Sequence, residues 1–307
     1  MYTGSGRTTS RAIIAEVRGI VLPSDFEELL AVLHLNRIDE ATFMGSHPSK
    51  NPPRTFGGQM MAQAFVAASR TLDRHLPPGA ISAHFIAGGD PAKDLEFQVV
   101  RLRDERRFAN RRVDVMQGGE LLTTAMVSYV DGGRGLEHGI ECPAVPDPLS
   151  LPRIDDLLVG YEKTVPHFVE ALRPIEWRYT NDPAWVMRHK GERLDYNRVW
   201  LKADGPMPED PVLHSAALVY SSDTTVLDSI ITTHGLSWGY DRIFAATVNH
   251  SVWFHRPFRF DEWVLYSTSS PVAAESRGLG TGHFFDQTGQ IVATVVQEGI
   301  IKYFPGG

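Results

Sequence analysis

The stretch Gly57-Gly58-Gln59-Met60-Met61-Ala62-Gln63-Ala64-Phe65-Val66-Ala67-Ala68 opens a helix that should run to about Leu72. Its side chains are unusually small, which lets a helix lie close against a sheet. From Ile81 to Tyr129 the pattern changes to strand, turn, strand, turn, strand, with turns at Gly88-Gly89-Asp90-Pro91 and Gly118-Gly119. One helix followed by a long antiparallel meander predicts a sheet wrapped around a helix. On the N-terminal side, Ser24 and Glu27 form a capping-box pair ahead of Phe26, Leu29, Leu30 and Leu33 at helical spacing. A strand is expected around Ile38 to Met44, then a loop marked by Pro48, Pro52 and Pro53.

The order then repeats. Residues 134–172 carry Gly135, Pro143, Pro146, Pro148 and Pro152 and read as a linker, with a short helix near Ile154 to Leu172. Strands are expected at Ile175–Thr180 and Asn197–Lys202, a helix over Leu213–Thr232, and strands from Ala245 to Lys302. The segment from Phe85 to Phe97 aligns without gaps on Phe254 to Tyr266, Gly118-Gly119 falls on Thr288-Gly289, and Arg107 falls on Arg277. A repeat of this length implies two copies of one unit. The expected organisation is an extension over residues 1–22, a unit over 23–133, the linker over 134–172, and a second unit over 173–307.

Composition bounds the function. With 307 residues, 42% of them hydrophobic, the chain can build a sizeable core without disulfides or metals. A net charge of −7 disfavours nucleic acid or an anionic membrane as partner. The single cysteine, Cys142, sits in a Pro-rich stretch and suits a reducing compartment; with no spanning segment either, the expectation is cytoplasm. The twelve histidines show no metal-ligand spacing with acidic partners, and neither a phosphate loop nor a nucleophile elbow is present, so no metal and no cofactor are expected.

Two polar residues stand out on apolar surfaces. On the predicted helix, Asp223 has Val219, Tyr220, Val226, Leu227 and Ile230 as its neighbours. A carboxylate there needs a partner, for chemistry or for a structural hydrogen bond, and the pattern does not choose. Asp228, among threonines, reads as solvated. Gln297 ends the strand run Ile291 to Val296 and must also be satisfied inside. Their repeat counterparts are Val127 for Gln297 and about Val66 for Asp223, so the first half looks vestigial. Thr247, on the strand Ala245 to His250, is unremarkable by itself, and His250 and His255 read as structural. Six arginines lie between Arg101 and Arg112. They could meet the phosphates of a nucleotide-bearing ligand or form a solvated hairpin.

The segments Thr55 to Gln59, Phe108 to Val113, Thr247 to Phe258 and Val296 to Gly299 resemble the acyl-CoA thioesterase II family, over nearly the whole chain after residue 24. The resemblance implies an α+β double hotdog, two antiparallel sheets each wrapped around a central helix and joined side by side. It implies hydrolysis of fatty acyl-CoA to free acid and CoA, in a homo-oligomer, by a water held by Asp223, Thr247 and Gln297. Gly57 and Gly58, at a helix N-terminus, are expected to contact the oxyanion, and Arg111 to contact substrate. Where the family shows an Arg-Pro pair before Gly-Asp, this chain has Ala87-Gly88-Gly89-Asp90. A hotdog enoyl-CoA hydratase would want an Asp/His pair near a helix start, and a non-catalytic acyl-CoA binder would not need the Asp/Thr/Gln set.

Overall fold

The computed structural model describes residues 25–50, 54–166, 168 and 174–305. Ser24 and the 1–22 extension lie outside the described residues. Helices α1 (Asp25–Leu33) and α2 (Gly57–Ser69) alternate with strands β1 (Asn36–Arg37) and β2 (Thr42–Gly45). The meander follows as β3 (Pro78–Phe85), β4 (Leu95–Asp104), β5 (Phe108–Gln117) and β6 (Glu120–Val130). After one helical turn, α3 (Ile154–Leu157), come β7 (Ile175–Tyr179), α4 (Ala184–Lys190) and β8 (Tyr196–Ala203). Then come α5 (Pro211–Ser222), α6 (Asp228–Thr233), β9 (Ile243–Phe254), β10 (Val264–Ala274), β11 (Arg277–Phe285) and β12 (Ile291–Tyr303).

Among the described residues, twelve strands form one antiparallel sheet in the order β1-β2-β4-β5-β6-β3-β9-β12-β11-β10-β8-β7. Read outward from the centre, the two halves have the same order, and the seam is the β3–β9 pair. Its register runs from Ala80↔Trp253 to His84↔Asn249, with Ser82 opposite Ser251. Ile81 faces Val252 and Ala83 faces His250, a pairing that exchanges with itself when the halves are swapped. The Ser251 hydroxyl donates to Ser82 Oγ at 2.9 Å at that midpoint. The repeat in the sequence is therefore a pseudo-two-fold in space.

Each half wraps a helix, the hotdog arrangement expected. Helix α2 is buried on almost every side: Met61, Ala62, Ala64, Ala67 and Ala68 are fully enclosed. Its small residues let it lie between its own sheet and α5. The N-terminus of α2 meets the C-terminus of α5 so closely that a Cβ on Gly58 would stand 2.5 Å from the Tyr220 carbonyl. Phe56 closes the crossing edge-to-face on Tyr220, with 5.1 Å between ring centroids.

Three local readings need correction. The helix expected over Leu213–Thr232 is broken into α5 and α6, and Asp223 is the C-cap of α5 with φ −87° and ψ −1°. The run Ser221-Ser222-Asp223-Thr224 explains the break. Ser221 Oγ donates to the Ala217 carbonyl and Thr224 Oγ1 to the Ser221 carbonyl, side-chain bonds that compete with helix continuation. The counterpart of Asp223 at the end of α2 is then the C-cap Arg70, not Val66. Helix α4, between β7 and β8, was not anticipated; Pro183 precedes it and Gly191 ends it at φ 73°. The Pro-rich stretch after residue 133 runs across the second half of the sheet, where Trp200 Nε1 donates to the Pro146 carbonyl at 3.0 Å.

The helix crossing leaves no room at Gly58. Gly58→Ala should cost about 1–3 kcal/mol, the usual range for overpacking. Gly132→Ala, where a Cβ meets nothing within 4 Å, should stay within about 0.5 kcal/mol of wild type. Urea midpoints on both variants check this; equal midpoints would mean that the helices can move apart freely.

Candidate active site

Three elements converge below the seam. Asp223 comes from the end of α5, Thr247 from β9 and Gln297 from β12. Gln297 Nε2 lies 2.7 Å from Asp223 Oδ1 and 2.7 Å from Thr247 Oγ1. A carboxylate accepts only, so the amide nitrogen must face it, and both N–H groups of Gln297 are used. Asp223 Oδ2 accepts from the Gly58 backbone N–H at 2.8 Å. The first half of the chain thus contributes a backbone group to a site whose side chains come from the second.

A bulge aims Thr247. In the β9–β12 ladder Gln297 faces His250, Glu298 faces Asn249 and Gly299 faces Thr247, so Val248 is an extra residue. Strict alternation would place Val248 and Ala246 on the face of His250 and Thr247 on the other. The extra residue reverses the phase and turns Thr247 inward. The first half repeats the irregularity, with Pro78 facing Tyr129 and Ala80 facing Ser128. There Pro78 occupies the place of Thr247, and Ile81↔Val127 occupies the place of His250↔Gln297.

Asp223 is a trans cap. The N-cap residue of α2, Phe56, makes no side-chain cap bond, and the carboxylate across the crossing satisfies the orphan Gly58 N–H instead. The same contact explains Gly57, where a Cβ would come within 2.8 Å of Asp223 Oδ2. Burial pushes the Asp223 pKa up to about 6, against the Gln297 and Gly58 hydrogen bonds that pull it down. Beside it lies a cavity of about 340 Å³, lined by Asp223, Thr247, Leu227, Asp228, Trp238 and Ala246 among others, a size that suits a small-molecule site. Asp228 is buried rather than solvated: its carboxyl accepts from Trp238 Nε1 at 2.6 Å, and burial pushes its pKa up to about 7.

The other expected contacts fare differently. Gly58 has a single N–H and it is committed to Asp223. The Gly57 N–H has no acceptor among the described residues. Arg111 is fully enclosed, and its five N–H groups are all engaged by Thr71, Arg103, Asn110 and Asp104. It ties β5 to β4 and to the end of α2, and has nothing left to offer a substrate. The residues that sequence reasoning undervalued are His250 and Ser222, both fully buried. His250 Nδ1 lies 2.5 Å from Gln297 Oε1, and His250 Nε2 lies 2.8 Å from Ser222 Oγ. The signal available was an ionisable residue on the same strand face as Val252. Among the described residues there is no cluster of metal ligands.

The acyl-CoA thioesterase family matches residues 168–300, and the N-terminal domain of acyl-CoA thioesterases matches residues 47–130. Human acyl-coenzyme A thioesterase 8 is 31% identical, over 92% of each chain. The chain belongs to the acyl-CoA thioesterase II family. The acyl-CoA thioesterase 2 of Haemophilus influenzae is 30% identical over 90% of this chain and 97% of its own. The crystal structure of an acyl-CoA thioesterase II from Mycobacterium marinum superposes with a TM-score of 0.73 at 32% identity, over 91% of this chain and 98% of that one. A protein from Alicyclobacillus acidocaldarius described as having a hot dog fold reaches 0.73 at 21% identity, over 89% and 97%, and supports the fold alone. The double hotdog is thus the fold of this thioesterase II chain.

The two raised carboxyls make stability depend on pH. Each holds its proton more tightly in the folded chain than at the ordinary value of 3.8. Their contribution is therefore full below about pH 4 and is lost as pH rises through about 6 for Asp223 and about 7 for Asp228. Buried imidazoles act in the opposite sense; His250 is pushed down to about 4 by burial. The clean readout is the stability of wild type minus that of Asp228→Asn. This difference should shift in favour of wild type as pH falls from about 8 to 5, and a flat difference would show that Asp228 is not held protonated.

Proposed function

We propose that the chain hydrolyses fatty acyl-CoA thioesters to free acid and CoA with a water held by Asp223 and Thr247 and directed through Gln297. The observation that carries this reading is that Asp223 and Thr247, which line one cavity, are bridged from behind by Gln297 Nε2 at 2.7 Å to each. The family membership supports the same chemistry. A thioester has a good leaving group, so the site needs a directed water and a place for the developing oxyanion more than a strong acid. With its pKa near 6, Asp223 is largely ionised at neutral pH yet basic enough to accept a proton. Gln297 donates to both Asp223 and Thr247, which leaves the Thr247 hydroxyl proton for the water or the substrate. As the water oxygen bonds to the thioester carbon, Asp223 takes its proton. Collapse of the tetrahedral intermediate breaks the C–S bond, and the departing CoA sulfur takes up the proton. The Gly57 N–H, which has no acceptor among the described residues and lies at the positive end of α2 beside Asp223, is our candidate for the oxyanion donor.

The first half is proposed to be silent: it sets Ile81, Val127 and Pro78 where the second half has His250, Gln297 and Thr247. Nothing in the Asp223 environment suits a hydratase pair, since its described partners are Gln297 and the Gly58 amide rather than a histidine.

Thiol release measured over a panel of acyl-CoA chain lengths should show turnover on at least one fatty acyl-CoA. A 2-enoyl-CoA should not be converted to a 3-hydroxy product with its thiol retained. Asp223→Asn should lower turnover by roughly two to four orders of magnitude, the span of general-base catalysis. A folded variant with more than about a tenth of wild-type turnover would sink the base role. For wild type, kcat/KM should fall about tenfold per pH unit below about 6, as the base becomes protonated. Titration with a non-hydrolysable acyl-CoA analogue should find one productive site per chain, and two equivalent sites would refute the silent half.

A further inference from the structure

We propose that His250 is a positioning residue that fixes the direction of the Gln297 amide, with Ser222 as the partner of its other ring nitrogen. The inference rests on the place given to Gln297 in the proposed site.

The argument is one of donors and acceptors. An amide can turn over at almost no steric cost, exchanging its oxygen and nitrogen. If Gln297 turned over, its oxygen would face the Asp223 carboxylate and could no longer hold it. Asp223 already selects the nitrogen by accepting from it, and a donor on the far side of the amide would lock that choice. His250 Nδ1, 2.5 Å from Gln297 Oε1, does so if it carries a proton, because an oxygen acceptor opposite a nitrogen lone pair at that distance is repulsive. The imidazole is fully buried and burial holds it neutral, so it has one proton to place. A proton on Nδ1 leaves Nε2 as the acceptor for the Ser222 hydroxyl at 2.8 Å. Ser222 Oγ is also placed to donate to the Val219 carbonyl at 2.8 Å; with Nδ1 protonated, only the rotamer that turns its single proton to His250 pairs both ring nitrogens. The Ser222 carbonyl is held by the Tyr266 hydroxyl at 2.8 Å. The chain of donation therefore runs from Ser222 to His250 to Gln297, and from Gln297 to Asp223 and Thr247.

The repeat separates this role from a merely structural one. The same two sheet positions in the first half hold Ile81 opposite Val127, both fully buried. An apolar pair therefore satisfies the fold at this place. The second half buries an imidazole and an amide there instead, groups that need partners and bring no packing advantage.

His250→Leu and His250→Asn separate the two roles. The Asn side chain can put an N–H where Nδ1 stood, and Leu cannot. We expect His250→Leu to lower kcat about 10–100-fold, the span seen for outer-shell partners of other sites. KM should stay within about twofold, because the lost interaction orients the water rather than the substrate. His250→Asn should recover most of kcat. In a Gln297→Leu background, His250→Leu should add less than about a threefold further loss, since the group it directs is gone. Should His250→Leu fail to fold, His250→Asn against His250→Gln makes the same comparison. Gln carries its amide to the Ser222 end, so it should behave like Leu. Equal kcat for the donor-keeping and donor-lacking variants, or losses that multiply in the Gln297→Leu background, would overturn the proposal. Its failure would leave Asp223→Asn inactive and His250→Leu active, whereas failure of the underlying reading would leave Asp223→Asn active.

Discussion

The hydrogen bond from the Gly58 amide to Asp223 joins the two halves of the chain at the point where the chemistry is proposed to occur. It can form only because the ends of two helices approach within backbone contact. Gly57 and Gly58 supply that closeness, since a Cβ at either position would collide with Asp223 or with the Tyr220 carbonyl. The crossing in turn needs a thin helix, which the alanines of α2 provide, and a continuous sheet under both helices, which the β3–β9 seam provides. Removing any one of these would separate the positive end of α2 from the carboxylate.

The pseudo-two-fold sets up two equivalent locations and the side chains make them unequal. Both halves carry the same sheet order and a bulge at the equivalent point of the strand beside the seam. In the second half the bulge turns a threonine inward; in the first it falls beside Pro78, which has no hydroxyl. A single backbone plan thus serves both halves, and one retains an apolar interior where the other holds a polar chain from Ser222 to Asp223. Burying that chain is costly unless every member is paired, and here each described member is.

The helix-then-meander plan and its duplication were legible in the sequence because small-residue helices, turn glycines and a long internal repeat leave periodic traces, while the family was legible through the resemblance of segments such as Thr247 to Phe258. The contrast of Val127 with Gln297 was legible too, since strand alternation and the repeat register are both local counts. Asp223 was picked out as a carboxylate on an apolar surface, but its setting was misread. The pattern extended the helix through it, while the serine and threonine side chains end the helix there. Asp228 was misread for a related reason: its sequence neighbours are polar, and the Trp238 indole that covers it comes from a loop beyond α6.

Sequence alone determined the helix-and-meander plan, the repeat and the two polar positions at Asp223 and Gln297, because each of these depends on spacing along the chain; the double hotdog and Thr247 came only from the family resemblance. Only the tertiary structure decided that the Gly58 N–H donates to Asp223, that the N–H groups of Arg111 are engaged by its neighbours, and that His250 stands behind Gln297. Those relations depend on the sheet register, on one extra residue at Val248, and on the distance between two helix ends. A one-residue shift in pairing exchanges the faces of a strand, so which polar groups meet is fixed only when the strands are assembled.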